Sequence, residues 1–282
     1  MTRWSRLRAL IGGAGLLVCA LAGPAGANGN EALDISAPAR GAVPPYEMLA
    51  HGGYVMTADE VLLTARSGDR TTMVAFSPAS GVSPATLAAA LEAAGARPTA
   101  SVAAGCSYAR LGSARTLCPV LRWSRGGYAR PRVYFVDHTG WQWPVSTATG
   151  GWNGASGVDS YYLSGGCPAG GHCVDVWSAD YGNTCWQGAS SWSYDGNGFF
   201  LDGSVAIWLN EYNGRGTCGG RIINYAKNSA GYLQDVCHEQ GHTLGLDHNS
   251  STGSCLYADI INASQSRYPG TADLDLLGWL YR

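Results

Sequence analysis

Residues 235–248 read DVCHEQGHTLGLDH and hold three of the six histidines in the chain, His238, His242 and His248. A helix turns about 100° per residue, so positions four apart lie about 40° apart on one face. His238 and His242 can therefore aim their imidazoles at one point. Gly245 breaks the helical spacing; with no Cβ it tolerates positive φ and lets the chain leave the helix sharply. His248, three residues further on, can then swing back. Zinc in catalytic sites takes three protein ligands and keeps a fourth position open. The spacing HExxHxxGxxH thus specifies a Zn2+ site with His238, His242 and His248 as ligands. Glu239 adjoins the first of them but points about 100° away. It belongs beside the metal, where a carboxylate can act as general base and then pass its proton to a leaving group. HExxH fixes only three residues; the added glycine and third histidine make the pattern specific.

Working outward, Cys237 opens this segment and Cys255 comes after it. Eight cysteines lie beyond residue 27, and sequential pairing would join Cys106–Cys118, Cys167–Cys173, Cys185–Cys218 and Cys237–Cys255. An even number fits an oxidising compartment. CPAGGHC, with Cys167, His172 and Cys173, offers a second zinc site as the rival reading, but it lacks a second ligand pair. The N-terminus agrees with export. Arg3, Arg6 and Arg8 precede the apolar run ALIGGAGLLVCALAG, and AGA closes at Ala27, the pattern of a cleaved signal over 1–27. No later apolar run reaches the length of a membrane span. The expectation is a secreted monomer with no membrane contact after cleavage and no nucleic-acid partner.

Charge divides the chain beyond the signal. Residues 28–132 carry ten arginines against seven acids, a net of +3, whereas 133–282 carry five basic residues against thirteen acids, a net of −8. Two units are expected: 28–117, an N-terminal pro-segment or accessory region, and 118–282, the catalytic domain. The first begins with the linker-like SAPARGAVPPY. Next comes a helix at SPATLAAALEAAGA with Ser83 as its cap, then a hairpin within GCSYARLGSARTLC. Six arginines between Arg110 and Arg132 read as a solvated face. In the second unit RVYFVDHTG, VDSYYL, CVDVWSADYG and SVAIWLNEYN read as strands. WPVSTATGGW, the histidine segment and TADLDLLGWLYR read as helices, the last capped by Thr271. Strands mixed with a few helices point to α+β, or to α/β with a mixed sheet. DGNG at 195–198 reads as a turn, with a Ca2+ cradle as the rarer alternative.

HEQGHTLGLDH resembles the extended zinc signature of the metzincin clan of metallopeptidases, and from about residue 131 the chain looks like a matrixin-like secreted bacterial protease, while 28–117 carries no such likeness. That resemblance implies His238, His242 and His248 as zinc ligands and Glu239 as catalytic base. Asp247 stands one position short of the third ligand. It also implies an α+β catalytic domain, with a mostly parallel twisted sheet, an active-site helix and a C-terminal helix, preceded by a small N-terminal segment. GSCLYAD matches the methionine-containing turn of the clan, with Leu256 where methionine stands and Tyr257 next. Substrate in the clan pairs with an edge strand, for which 184–194 and 204–210 are candidates. The function expected is a secreted zinc endopeptidase acting on peptide or protein. A zinc hydrolase of a cell-wall amide and a non-cleaving zinc-holding protein are the alternatives.

Overall fold

The computed structural model describes residues 53–99, 107–258 and 265–282. The signal segment, its cleavage point, the linker and Cys106 lie outside the described residues. The first elements are β1 (Gly53–Met56), β2 (Val61–Ser67), β3 (Arg70–Pro78), α1 (Pro84–Ala93) and β4 (Arg97–Pro98). A small hairpin comes next, β5 (Arg110–Leu111) with β6 (Ala114–Arg115). Then come β7 (Arg132–Asp137), α2 (Val145–Trp152), β8 (Asp159–Leu163), β9 (His172–Ala179), β10 (Trp186–Tyr194) and β11 (Val205–Asn210). A second hairpin, β12 (Arg215–Cys218) with β13 (Arg221–Asn224), leads into α3 (Ser229–Thr243), and α4 (Thr271–Leu280) closes the chain.

Nine strands form one sheet in the order β4-β1-β2-β3-β10-β11-β9-β7-β8. The pairings on the β8 side, through β7 and β9 to β11, are parallel. From β11 through β10, β3 and β2 to β1 they are antiparallel, and β4 adds a short parallel pairing to β1. This corrects the expected zincin-like α+β domain with a mostly parallel sheet. The described residues are dominated by one large mixed sheet, the four helices among them are short, and the sheet continues into β1–β4. The antiparallel half is hard to read from sequence for a physical reason. VLL of β2 and MVAF of β3 are buried on both faces, so they form continuous apolar runs without the alternation of a half-buried strand.

The sheet separates two cores. On one face Met73, Ala75, Trp192, Val174 and Val176 pack with Trp152, Val236 and Leu277 from the helices. On the other, Val74, Phe76, Trp186, Ala189 and Trp208 pack with Leu87 and Leu91 of α1. Neighbours on β3 alternate between the two, as the pleat requires. The elements read from the sequence beyond residue 132 are present as β7, α2, β8, β9, β11, α3 and α4. The helix at 84–93 is present too, its Ser83 side chain accepting from Thr86 N at 3.2 Å. One cap differs: α4 starts from Gly270, whose N–H donates to Asp273 Oδ2 at 2.7 Å, and Thr271 is already inside the helix.

Three disulfides join Cys167–Cys173, Cys185–Cys218 and Cys237–Cys255. The first removes the thiols that a second zinc site would have needed. Cys118 is also disulfide-bonded. No helix among the described residues is long and apolar enough to cross a membrane.

Candidate metal centre

Helix α3 positions the site. Asn228 caps it, accepting from Gly231 N at 3.0 Å, and every residue from Gln234 to Thr243 is buried. Burial on all sides follows from its place between the sheet and α2. Gly241 makes close packing possible, since a Cβ there would meet Leu256 Cδ2 at 2.7 Å and Trp152 Cζ2 at 2.9 Å. Leu256, fully buried, is thus the apolar floor under this part of the helix. Gly245 ends the turn with φ +97°, and a Cβ there would lie 2.4 Å from Leu121 O. The left-handed conformation and the close approach both call for glycine. The Cys237–Cys255 bridge ties the helix to the loop carrying Leu256.

The three histidines meet. One ring nitrogen from each of His238, His242 and His248 lies within 4.8 Å of the other two, and all three residues are buried. His238 Nδ1 donates to Cys255 O at 2.9 Å and His242 Nδ1 donates to Leu246 O at 2.9 Å. Those bonds fix the tautomer and leave lone pairs on both Nε2 atoms. His242 Nε2 is buried without a hydrogen-bond partner, and His238 Nε2 faces His248 Nε2 at 3.1 Å. Burial and the neighbouring imidazoles hold His238 well below the ordinary histidine value and push His242 down to about 3. Neutral, converging, oriented imidazoles are the donor set zinc prefers, so the residues fit the metal.

His248 differs from its neighbours. Burial pulls its pKa down, but the carboxylates of Asp247, Glu60 and Asp59 outweigh burial and raise it. Asp247 turns from the centre towards Arg115, accepting from Nε at 2.8 Å and Nη2 at 3.3 Å. Arg115 also reaches Asp59 at 2.6 Å, so this arginine is held between two acids, not set on a solvated face. A second group, Glu60, Asp247 and His248, also brings potential ligand atoms within 4.8 Å of one another. With the Arg115 cation on Asp247, that group suits an ion less than the three imidazoles do. A depression of about 340 Å³, lined by Asp59, Arg115, His248, Asn249 and Tyr257 among others, leads from solvent to His248.

Glu239 lies outside the imidazole cluster and is fully buried. Ser77 Oγ of β3 donates to its Oε1 at 2.6 Å, and Ser190 Oγ of β10 donates to its Oε2 at 2.5 Å. Gly188 leaves room for the carboxylate, because a Cβ would stand 2.4 Å from Oε1. Burial pushes the Glu239 carboxyl up to about 8, while the Ser190 and Ser77 hydroxyls and His248 pull against that rise. One helical turn earlier, buried Asp235 pairs with Lys227, the only lysine, at 2.5 Å. Asp195 of DGNG accepts from the backbone N–H of Asn197 and Phe199, both at 2.9 Å, which makes that stretch a turn closed on itself.

The candidate ligands are legible from spacing alone; Ser77, Ser190, Glu60 and Arg115 are not. Ser77 and Glu239 are 162 positions apart, and no local pattern marks a serine in an apolar strand as a partner for a distant carboxylate. No protein-family model matches the chain, and no curated protein matches it.

Proposed function

We propose that this chain is a metal-dependent hydrolase. Within that class we read it as a secreted zinc endopeptidase, whose chemistry lies in residues 118–282. The observation that carries the reading is the convergence of three buried imidazoles, one with an unpartnered Nε2, beside a buried carboxylate. His238, His242 and His248 would hold the ion. When bound, zinc supplies a Lewis acid that polarises a carbonyl and makes water ionisable near neutral pH.

The protein's own groups do the rest. The carbonyls of Cys255 and Leu246 lock two imidazoles in the metal-binding tautomer. Glu239 accepts a proton at its carboxylate and later releases it to the leaving amine. Ser190 orients that carboxylate from β10. Disulfides fit an oxidising environment, and together with the basic and apolar N-terminus they support secretion. The test is Glu239→Gln. Zinc content should stay at one ion per chain while peptide hydrolysis falls by about 10²–10⁴. Equal hydrolysis by the variant and the parent would overturn the base role.

A further inference from the structure

Six arginines lie between Arg110 and Arg132, and the structure gives five of them an evident place. Arg115 is held by Asp59 and Asp247, Arg125 donates to Tyr281 O at 2.9 Å, and Arg130 pairs with Asp159 at 3.3 Å. Arg110 and Arg122 are exposed and lie over the rings of Tyr108 and Phe199. Arg132 is different. It is half-buried at the start of β7, and its guanidinium takes part in no hydrogen bond or ion pair among the described residues. Its Nε is buried without a partner. A charged donor taken from water and given no acceptor costs more than a neutral one, so the unmet N–H points to a ligand.

Arg132 lines a pocket of about 50 Å³ together with Gly126, Tyr128, Tyr134, Gly170 and His172, and none of the lining residues is acidic. The pocket shares no residue with the depression at His248. Val133 and Phe135 belong to the core beneath the helices, so the pleat turns Arg132 and Tyr134 to the opposite face of the sheet. The Cys167–Cys173 bridge closes the loop that carries Gly170. Gly171 in that loop packs on Tyr134, where a Cβ would stand 3.1 Å from Cδ2. The Arg132 Cζ lies 3.9 Å from the centre of the Tyr128 ring. With one face of the guanidinium against that ring, an acceptor meets its N–H groups in plane, from the edge. Tyr134 stacks on Tyr161 of β8, with ring centroids 5.0 Å apart at 22°, and so carries an aromatic floor beyond the pocket. His172 is already engaged, by Asp202 Oδ1 at 2.6 Å and Ser124 O at 2.9 Å. Arg132 is therefore the one lining cation with donors to spare.

We propose that this pocket binds an organic carboxylate, with Arg132 as its counter-ion and the Tyr134–Tyr161 stack under the body of the ligand. One guanidinium balances one negative charge, whereas a phosphate dianion here would leave a charge unmatched. A carboxylate also matches the planar fork of N–H groups. The rings suit an apolar body, which an inorganic anion lacks. The site stands apart from the metal centre and holds whether or not the chain is a peptidase.

The test titrates the full chain, at constant ionic strength, with acetate, phenylpropionate, N-acetylphenylalanine, the amide of N-acetylphenylalanine, and inorganic phosphate. Binding is read from the NMR signal of the Arg132 Nε–H and from the thermal midpoint. Phenylpropionate and N-acetylphenylalanine should move that signal saturably and bind roughly threefold to tenfold more tightly than acetate, the range an aromatic contact provides. Whichever of the two binds more tightly tells a free acid from a peptide C-terminus, and either ranking supports the site. Arg132→Lys should weaken binding about tenfold, because an ammonium cannot form the fork, and Arg132→Gln should abolish it. If Arg132→Gln fails to fold, Tyr128→Leu serves in its place. Tyr128 is 49 % exposed, and loss of its ring should weaken binding about threefold. The proposal is overturned if no carboxylate gives a saturable shift, if the amide or phosphate binds as tightly as the acids, or if parent and Arg132→Gln respond alike.

Discussion

The two halves of the sheet hold different parts of the same site. The half built from β7, β8, β9 and β11, with α2, α3 and α4, contributes the three imidazoles and Glu239. The half built from β1–β3 contributes no candidate ligand to the three-imidazole cluster. It brings Ser77 against Glu239, and Glu60 and Asp59 into the field of His248. The lesson is that the first half supplies the candidate ligands, and the second sets the hydrogen-bond and electrostatic surroundings of Glu239 and His248. β10 is the seam, buried on both faces and paired on both edges.

The contrast can be broken at the metal first. His242→Ala removes the imidazole whose Nε2 has no other partner, and zinc measured by mass spectrometry should drop from one ion per chain to background. Retention of the ion would mean that the three imidazoles are not its ligands. Next in size is Lys227→Met. It leaves Asp235 buried and unpaired beside the site, which should cost about 3–5 kcal/mol in denaturant unfolding. A loss below about 1 kcal/mol would show that Asp235 takes up a proton and needs no partner.

Phe76→Ala probes the other half. Its side chain is fully buried against Trp186, with ring centroids 5.8 Å apart, and its removal should cost about 3–5 kcal/mol. Amide exchange should rise in β1–β3 while α3 keeps its protection; equal loss in both would erase the distinction drawn between the halves. The smallest effect is expected from Leu256→Met. A volume-conserving swap beneath Gly241 should change stability by less than about 1.5 kcal/mol and leave zinc content unaltered.

Legibility follows the same division. The strands β7, β8, β9 and β11 and the helices α2, α3 and α4 announce themselves by period, caps and glycines, and the histidine helix does so most clearly because i, i+4 spacing is a property of the backbone alone. The meander leaves no such mark, because runs buried on both faces lose their alternation and because β3 finds its long partner more than a hundred residues away. Arg115 looks solvated in sequence for a related reason: an arginine shows its partners only once Asp59 and Asp247 are brought beside it. Thr271 falls one residue inside its helix because the carboxylate of Asp273 caps that end in place of a hydroxyl.

Sequence by itself marked the three candidate imidazoles, the glycine exit at Gly245 and the place of Glu239 next to one of them. These depend on short stretches of chain and on the geometry of one helical turn. Tertiary structure alone decided which tautomers the imidazoles adopt, what holds each oxygen of Glu239, and that β10 has no open edge. The last two of those outcomes depend on strand order. Backbone hydrogen bonds are much the same whichever strands they join, so sequence patterns do not encode which strands lie side by side.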